Sequence, residues 1–274
     1  MEKPLYIYYS FLINILVIVI YINMRKALLL STSSQFNESI HNVSHFLKTS
    51  RNYNHITIIT DITSQKPIKA VIMALIKQLL VENQSGDELW FHYIGNGDLI
   101  NDIAIWPIDF EKNGFITDDE LRRELIDKVK YGVNLYVVLD SFHSGTGFDL
   151  RYIYNDSSKY VGSHSQLTKY NFNEWQLVQS LYENKKYMKT TGNVFMISAY
   201  KDSAEKKENM AGGITYSLLK VLKSNYGNMK WKHLLKDIRC LLKIKGASQI
   251  PQLSVGRSIY IDRQIFQNSN LVFC

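Results

Sequence analysis

Five short apolar runs, separated by segments of helical period, constrain the fold of this chain more than any other feature. They are Ala27 to Leu30, Ile56 to Thr60, Leu89 to Tyr93, Leu135 to Leu139 and Val194 to Ser198. Runs of four to six residues with this apolar density are what strands buried on both faces of a parallel sheet require. Between them, Ile40, Val43, Phe46 and Leu47 mark one amphipathic helix. Ile68, Val71, Ile72, Leu75, Ile76, Leu79 and Leu80 mark a second, with a clear 3.6-residue period. A third is expected from Asp118 as its cap through Leu121, Leu125 and Val129. Two more are expected over Ile214 to Leu222 and Trp231 to Leu242. The polar, tyrosine-rich stretch from Arg151 to Thr191 is the least regular, with one helix expected around Trp175 to Tyr182. Strands alternating with helices predict an α/β fold. It is a three-layer α/β/α sandwich around a mostly parallel central sheet, with any site at the carboxyl ends of the strands.

The chain is long enough for one such domain. It has 274 residues, 46% of them hydrophobic, and only four prolines and fourteen glycines, which leaves little room for linkers. Two cysteines, Cys240 and Cys274, give no disulfide framework and favour a reducing compartment. Cys240 falls inside the last amphipathic helix and reads as a core thiol. The net charge of +7 comes from the C-terminal part: from Lys201 onward there are thirteen Lys or Arg against five Asp or Glu. A solvated basic face accounts for that excess, with anionic headgroups as the sharper reading. No glycine-rich phosphate loop, Cys-x-x-Cys pair or His-Glu-x-x-His motif is present, so nucleotide and zinc chemistry have no foothold and no nucleic-acid partner is expected.

Residues 1–24 stand apart from a domain expected over 25–274. From Leu5 to Ile22 no residue is charged, and only Ser10 and Asn14 interrupt the apolar character. As a helix this run would reach roughly 27 Å, at the lower limit for crossing a hydrocarbon core. Tyr6, Tyr8, Tyr9 and Tyr21 sit at its ends, where interfacial aromatics belong. The expectation is an N-terminal hydrophobic helix acting as a membrane anchor. Arg25 and Lys26 outweigh Lys3, which Glu2 offsets, and so place the domain on the cytosolic side. The competing reading is a buried element of the domain, suggested by the many β-branched residues.

Two motifs follow the third and fourth strands. The first is Asp87-Glu-Leu-Trp-Phe-His-Tyr-Ile-Gly-Asn-Gly97, and the second is Asp140-Ser-Phe-His-Ser-Gly145. Between them lie Ile105-Trp-Pro-Ile-Asp109 and Thr117-Asp-Asp-Glu120. Arg25 to Leu30, Ile197-Ser-Ala-Tyr-Lys-Asp202, Gly212-Gly-Ile-Thr-Tyr216 and Pro251-Gln-Leu-Ser254 extend the pattern in order. In order and spacing, from about Arg25 to Ile265, the chain resembles the metacaspases of the caspase-like cysteine peptidase group. The resemblance implies a caspase-like fold. It also implies a histidine between the two glycines of the first motif and a cysteine after Asp-Ser in the second, where this chain has Asn96 and Phe142.

Hydrolysis by that route needs a thiolate and a base that titrates near neutral pH. Phe142 has no nucleophilic atom, and Asn96 does not titrate. The expectation is therefore a pseudo-peptidase that works by binding a protein partner: an active caspase-like peptidase, a regulator of one, or a shared target. The domain itself is expected to be monomeric. The alternative is a hydrolase with a relocated nucleophile, for which Ser141, Ser144, His92 and His143 are the nearby groups. His92, however, is expected to face a helix layer from its strand. The resemblance also implies a pocket for an Arg or Lys side chain built from acidic groups. Of its two acidic positions Asp140 keeps a carboxylate and the other reads Asn42, while the serine of the first motif reads Ile94.

Calcium is the candidate cofactor. The family's four aspartate ligands match Asp102, Asp118, Asp119 and Asp149, and converging carboxylates favour a hard cation. The plainer reading makes Asp118 a helix cap, with Asp119 in the first turn. A second pattern overlaps it. Asp109 to Glu120 has EF-hand spacing, with Asp109 at position 1, Glu111 at 3, Asn113 at 5, Gly114 at 6 and Glu120 at 12. The strand-like Trp106-Pro-Ile108 before it lacks the entering helix, so Asn113-Gly114 reads as turn chemistry.

Overall fold

The computed structural model describes residues 23–97, 103–141, 148, 150–156, 168–172, 175–179, 189–199, 212–225, 229–247, 249 and 251–266. Each of the five apolar runs is a strand: β1 (Arg25–Ser31), β2 (His55–Ile59), β3 (Glu88–Gly95), β6 (Asn134–Ser141) and β10 (Asn193–Ser198). They pair in parallel in the order β2-β1-β3-β6-β10. The sheet continues antiparallel through β11 (Gln252–Val255), β7 (Tyr152–Asp156), β9 (Trp175–Gln179) and β8 (Thr168–Phe172). A small antiparallel pair, β4 (Ile103–Ile105) with β5 (Ile116–Thr117), stands beside it.

Side chains alternate across this sheet, and the two faces have separate cores. Ala27, Leu29, Trp90, Tyr136 and Val138 pack under α1 (Asn37–Arg51), α5 (Gly213–Ser224) and α6 (Trp231–Ile244). Leu28, Leu30, Phe91, Leu135 and Val137 pack under α2 (Lys69–Leu80) and the segment around Leu121, Leu125 and Val129. The result is the expected three-layer α/β/α sandwich. The α1 stripe is buried as read, at Ile40, Val43, Phe46 and Leu47; of the α2 stripe Ile72, Ile76 and Leu79 are buried, while Ile68, Val71, Leu75 and Leu80 are partly so. Each such aliphatic or aromatic side chain contributes about 1.5–3 kcal/mol when fully buried.

Four expectations are corrected. Trp175–Gln179 is a strand rather than a helix; it lies between β7 and β8, which satisfy its backbone on both sides. The third helix is capped by Thr117 rather than Asp118. The Thr117 hydroxyl accepts from the Glu120 amide while the Glu120 side chain accepts from the Thr117 amide, a capping box. This helix, α4 (Asp118–Leu121), passes at once into a π-turn over Arg122–Ile126; α3 (Phe110–Asn113) is a single turn before it. Cys240 is exposed, because α6 buries Trp231, Leu234, Leu235, Ile238 and Leu242 and the thiol falls off that stripe.

The fourth correction concerns the membrane. Among the described residues no helix is long and apolar enough to cross a bilayer. The longest, α1, has 15 residues and spans roughly 22 Å, well short of the hydrocarbon thickness, and it carries charge along its length. Leu5 to Ile22 lies outside the described residues. The membrane-anchored placement with a cytosolic domain is therefore withdrawn.

Candidate functional site

The two motifs meet at the carboxyl ends of β3 and β6. In the parallel register Ile94 faces Asp140 and Gly95 faces Ser141. Asn96 follows β3 and is exposed. The turn it occupies is fixed from below: the Tyr93 hydroxyl donates to the Asn96 carbonyl at 2.7 Å and accepts from the Trp106 amide at 3.3 Å. A Cβ at Gly95 would collide with the Tyr93 and Thr32 hydroxyls, so only glycine lets the chain pass there. Ile94 is buried beneath α1, whereas Asn42 points outward from that helix. The two are therefore not brought to one pocket. Phe142, His143, Ser144, Asp102 and Asp149 lie outside the described residues; Ser141 is buried.

Asp140 has a definite role in the fold. It is fully buried. Its Oδ2 accepts from the Thr215 amide at 2.8 Å and from the Thr215 hydroxyl at 2.7 Å, and its Oδ1 lies 3.5 Å from the Gln249 side-chain amide. The helix receiving it, α5, has Gly212 as its N-cap, with φ of 92° and no side chain to cap with. Asp140 supplies that cap from another element, its negative charge facing the positive end of the helix. Burial pushes its carboxyl above the usual range, while the two Thr215 bonds pull the other way.

The hydrogen bonds continue in a single direction. The Trp90 indole donates to His92 Nδ1 at 3.3 Å, which leaves the ring proton on Nε2. His92 Nε2 is 2.9 Å from the Thr215 hydroxyl and donates to it, because that hydroxyl's own proton goes to Asp140. The relay Trp90, His92, Thr215, Asp140 thus runs from β3 through α5 to β6. Burial lowers His92 from 6.5 to about 3 and holds it neutral. It faces the α5 layer, as its strand position implied. Trp90, Thr215 and Gln249 were not singled out from sequence. Thr215 stands in the Gly212-Gly-Ile-Thr motif, where a signal existed, but Gln249 has none.

Of the four aspartates matched to calcium ligands, two are described. Asp118 and Asp119 occupy the first turn of α4, the first partly buried and the second exposed, and Asp118 Oδ1 accepts from the Asp119 amide at 2.7 Å. Both plain roles, first-turn charge and hard oxygen donor, are open to them. Among the described residues no three His, Cys, Asp or Glu side chains cluster as a metal site.

Residues 15–151 match the sequence profile of the family described as metacaspase, peptidase C14 domain, a stretch that contains both motifs and begins within the apolar run Leu5 to Ile22. The chain belongs to the metacaspase family. Metacaspase-1A of Aspergillus oryzae is 28% identical over 289 residues, covering 86% of this chain and 68% of its own length. Metacaspase-1 of Eremothecium gossypii is 29% identical, with 88% and 66% covered. Metacaspase-2 of Trypanosoma brucei brucei is 29% identical, and the chain spans 60% of its length. The fold is similar to that of protein GSU0716 from Geobacter sulfurreducens, with a TM-score of 0.55 at 15% identity over 89% of this chain and 99% of that one. The three-layer sandwich is thus the caspase-like architecture that the metacaspase motifs implied.

Proposed function

We propose that this metacaspase relative is catalytically silent and acts by binding a protein: an active caspase-like peptidase, a regulator of one, or a shared target. The observation that carries the reading is the absence of a titrating base at the described end of β3. Asn96 occupies the motif's histidine position and is an amide. The one imidazole in that strand, His92, is buried, neutral and bonded through both ring nitrogens. Phe142 at the cysteine position adds a side chain with no nucleophilic atom. A relocated serine fares no better in Ser141, which is buried.

Asp140 supports the same reading for substrate capture. A carboxylate that caps α5 from 0% exposure, with an aliphatic Ile94 beside it in register, offers little to an incoming cation. Calcium remains part of the proposal, held by Asp102, Asp118, Asp119 and Asp149. Asp118 and Asp119 fit as hard donors on a first helical turn. Bound there, the ion would supply charge neutralisation between loops.

The test is peptide cleavage by the full chain on substrates ending in Arg or Lys, with and without calcium. No turnover is expected in either condition. Steady turnover that survives replacement of Cys240 and Cys274 would overturn the proposal. The double variant Phe142→Cys, Asn96→His is expected to recover little activity, since Asp140 is buried against the start of α5 and Asn42 supplies no second acid.

A further inference from the structure

We propose that the ammonium group of Lys69 is the built-in cation of the loop from Asp109 to Glu120, a lock that makes this loop independent of any divalent ion. The loop has the spacing of a calcium-binding EF-hand loop, in which position 7 gives a backbone carbonyl and position 12 a bidentate carboxylate. Those two positions are Phe115 and Glu120. Lys69 Nζ lies 2.6 Å from the Phe115 carbonyl and 3.0 Å from each carboxylate oxygen of Glu120. The ammonium thus donates to the Phe115 carbonyl and to Glu120 Oε2, and sits at ion-pair distance from Glu120 Oε1.

The same residue also holds the other end of the loop. The Lys69 backbone N–H donates to Asp109 Oδ1 at 2.8 Å, placing the position 1 carboxylate on the first turn of α2. Asp109 Oδ2 accepts from Asn113 Nδ2 at 2.6 Å, and Gly114 turns the chain with φ of 73°. Both end carboxylates therefore have partners within the chain: Asp109 is hydrogen-bonded and Glu120 is paired with a cation. Lys69 and Glu120 side chains are each 25% exposed, so the pair is shielded more than a surface contact. Glu120 Oε2 also accepts from the Thr117 amide, which ties the lock to the turn that carries Asp118 and Asp119. That turn keeps its shape whether or not the proposed aspartate site binds calcium, and the inference stands independently of that site.

Trp106 provides the readout. Its ring centroid is 5.2 Å from that of Phe110 and 5.0 Å from that of Phe115, close enough to sensitise terbium luminescence from an ion in the loop. The experiment is run on the full chain carrying Asp118→Asn and Asp119→Asn, which removes the aspartate site as a source of signal. With Lys69 present, no emission that depends on Glu120 is expected. In Lys69→Met, which keeps the stem and removes the charge, emission competed away by calcium should appear, with terbium affinity raised by about tenfold or more. Adding Glu120→Gln should abolish it. Glu120-dependent emission with Lys69 intact would overturn the proposal, as would a folded Lys69→Met variant that gains none. Should Lys69→Met fold only when calcium is added, the lock is supported; should it fail to fold with and without calcium, the substitution of ammonium for metal is refuted. Amide exchange on the natural chain gives a separate check. Protection over 109–120 should be the same in chelator and in calcium, and a calcium-induced gain that survives the two Asp→Asn changes would sink the idea.

Discussion

Acidification should unlock this domain through His92, and the structure sets the size of the effect. The imidazole is fully buried and held neutral, titrating at about 3 in the fold against 6.5 when free. Between these values the unfolded chain binds a proton that the folded chain refuses. The contribution is thus fully present above pH 6.5 and is lost as pH falls towards 3, at up to ~1.4 kcal/mol per unit. At pH 4.5 the loss reaches about 3 kcal/mol, and the whole window is worth about 5 kcal/mol. Asp140 works in the opposite direction. Its raised carboxyl takes up a proton in the fold before the unfolded chain does, so acid costs less at that group.

A comparison with His92→Gln separates the two. Glutamine can accept from Trp90 and donate to Thr215 but does not titrate. Urea unfolding followed by circular dichroism from pH 7.5 to 4.5 gives stability at each pH for both proteins. The variant should be the less stable at pH 7.5, by about 1–2 kcal/mol from imperfect fit. The gap should then close by about 3 kcal/mol at pH 4.5 and reverse sign. Two curves that run parallel across this range would refute the assignment of His92 as a buried neutral group.

Two further outcomes follow from the same geometry. Thr215→Val removes the hydroxyl between His92 and Asp140 and should cost about 3 kcal/mol, since it leaves the buried His92 N–H without an acceptor and takes one hydrogen bond from the Asp140 carboxylate, which keeps the residue 215 amide. Thr215→Ser keeps the hydroxyl and should cost only about 1 kcal/mol for the lost methyl group, and equal losses in the two variants on urea unfolding would count against the relay. Calcium at a hundredfold excess over its dissociation constant should raise stability by about 2.7 kcal/mol in thermal melts, and magnesium should do much less. Asp118→Asn with Asp119→Asn should abolish that shift, and a melting curve indifferent to calcium in the natural chain would remove the aspartate site.

How far the sequence reveals the fold depends on whether the deciding contact is local. The strands β1, β3, β6 and β10 were legible because a strand covered on both faces must be apolar at every position, and four or five such residues in a row are rare elsewhere. The helices α1 and α2 were legible because one face is buried and the period of 3.6 survives over 15 and 12 residues. Trp175–Gln179 had five residues and its stability lies in partners at 152–156 and 168–172, so nothing within it distinguishes strand from helix. Cys240 was misplaced by a position or two on a stripe whose phase the sequence only approximates.

The site divides along the same line. The motif positions Asn96 and Asp140 could be placed at the carboxyl ends of neighbouring strands because α/β connectivity alone puts them there. What Asp140 does could not, because its partner Thr215 lies 75 residues away and reaches it only through the placement of α5. Lys69 stands 51 residues from Glu120 and was invisible for the same reason, although both ends of the contact lay within motifs or helices already recognised. Residue identity disclosed an amide and a phenyl ring at the motif's two reactive positions, Asn96 and Phe142. The tertiary contacts of the residues that remain disclose where their charges went: the carboxylate of Asp140 to the start of a helix, and that of Glu120 to an ammonium. A charge already neutralised inside the fold is a poor recruiter of substrate or metal, since any ligand must first displace a tethered partner that loses no translational entropy in staying. Asn96 and Phe142 at the motif's histidine and cysteine positions, together with this internal use of carboxylates, are the grounds on which the binding role is proposed.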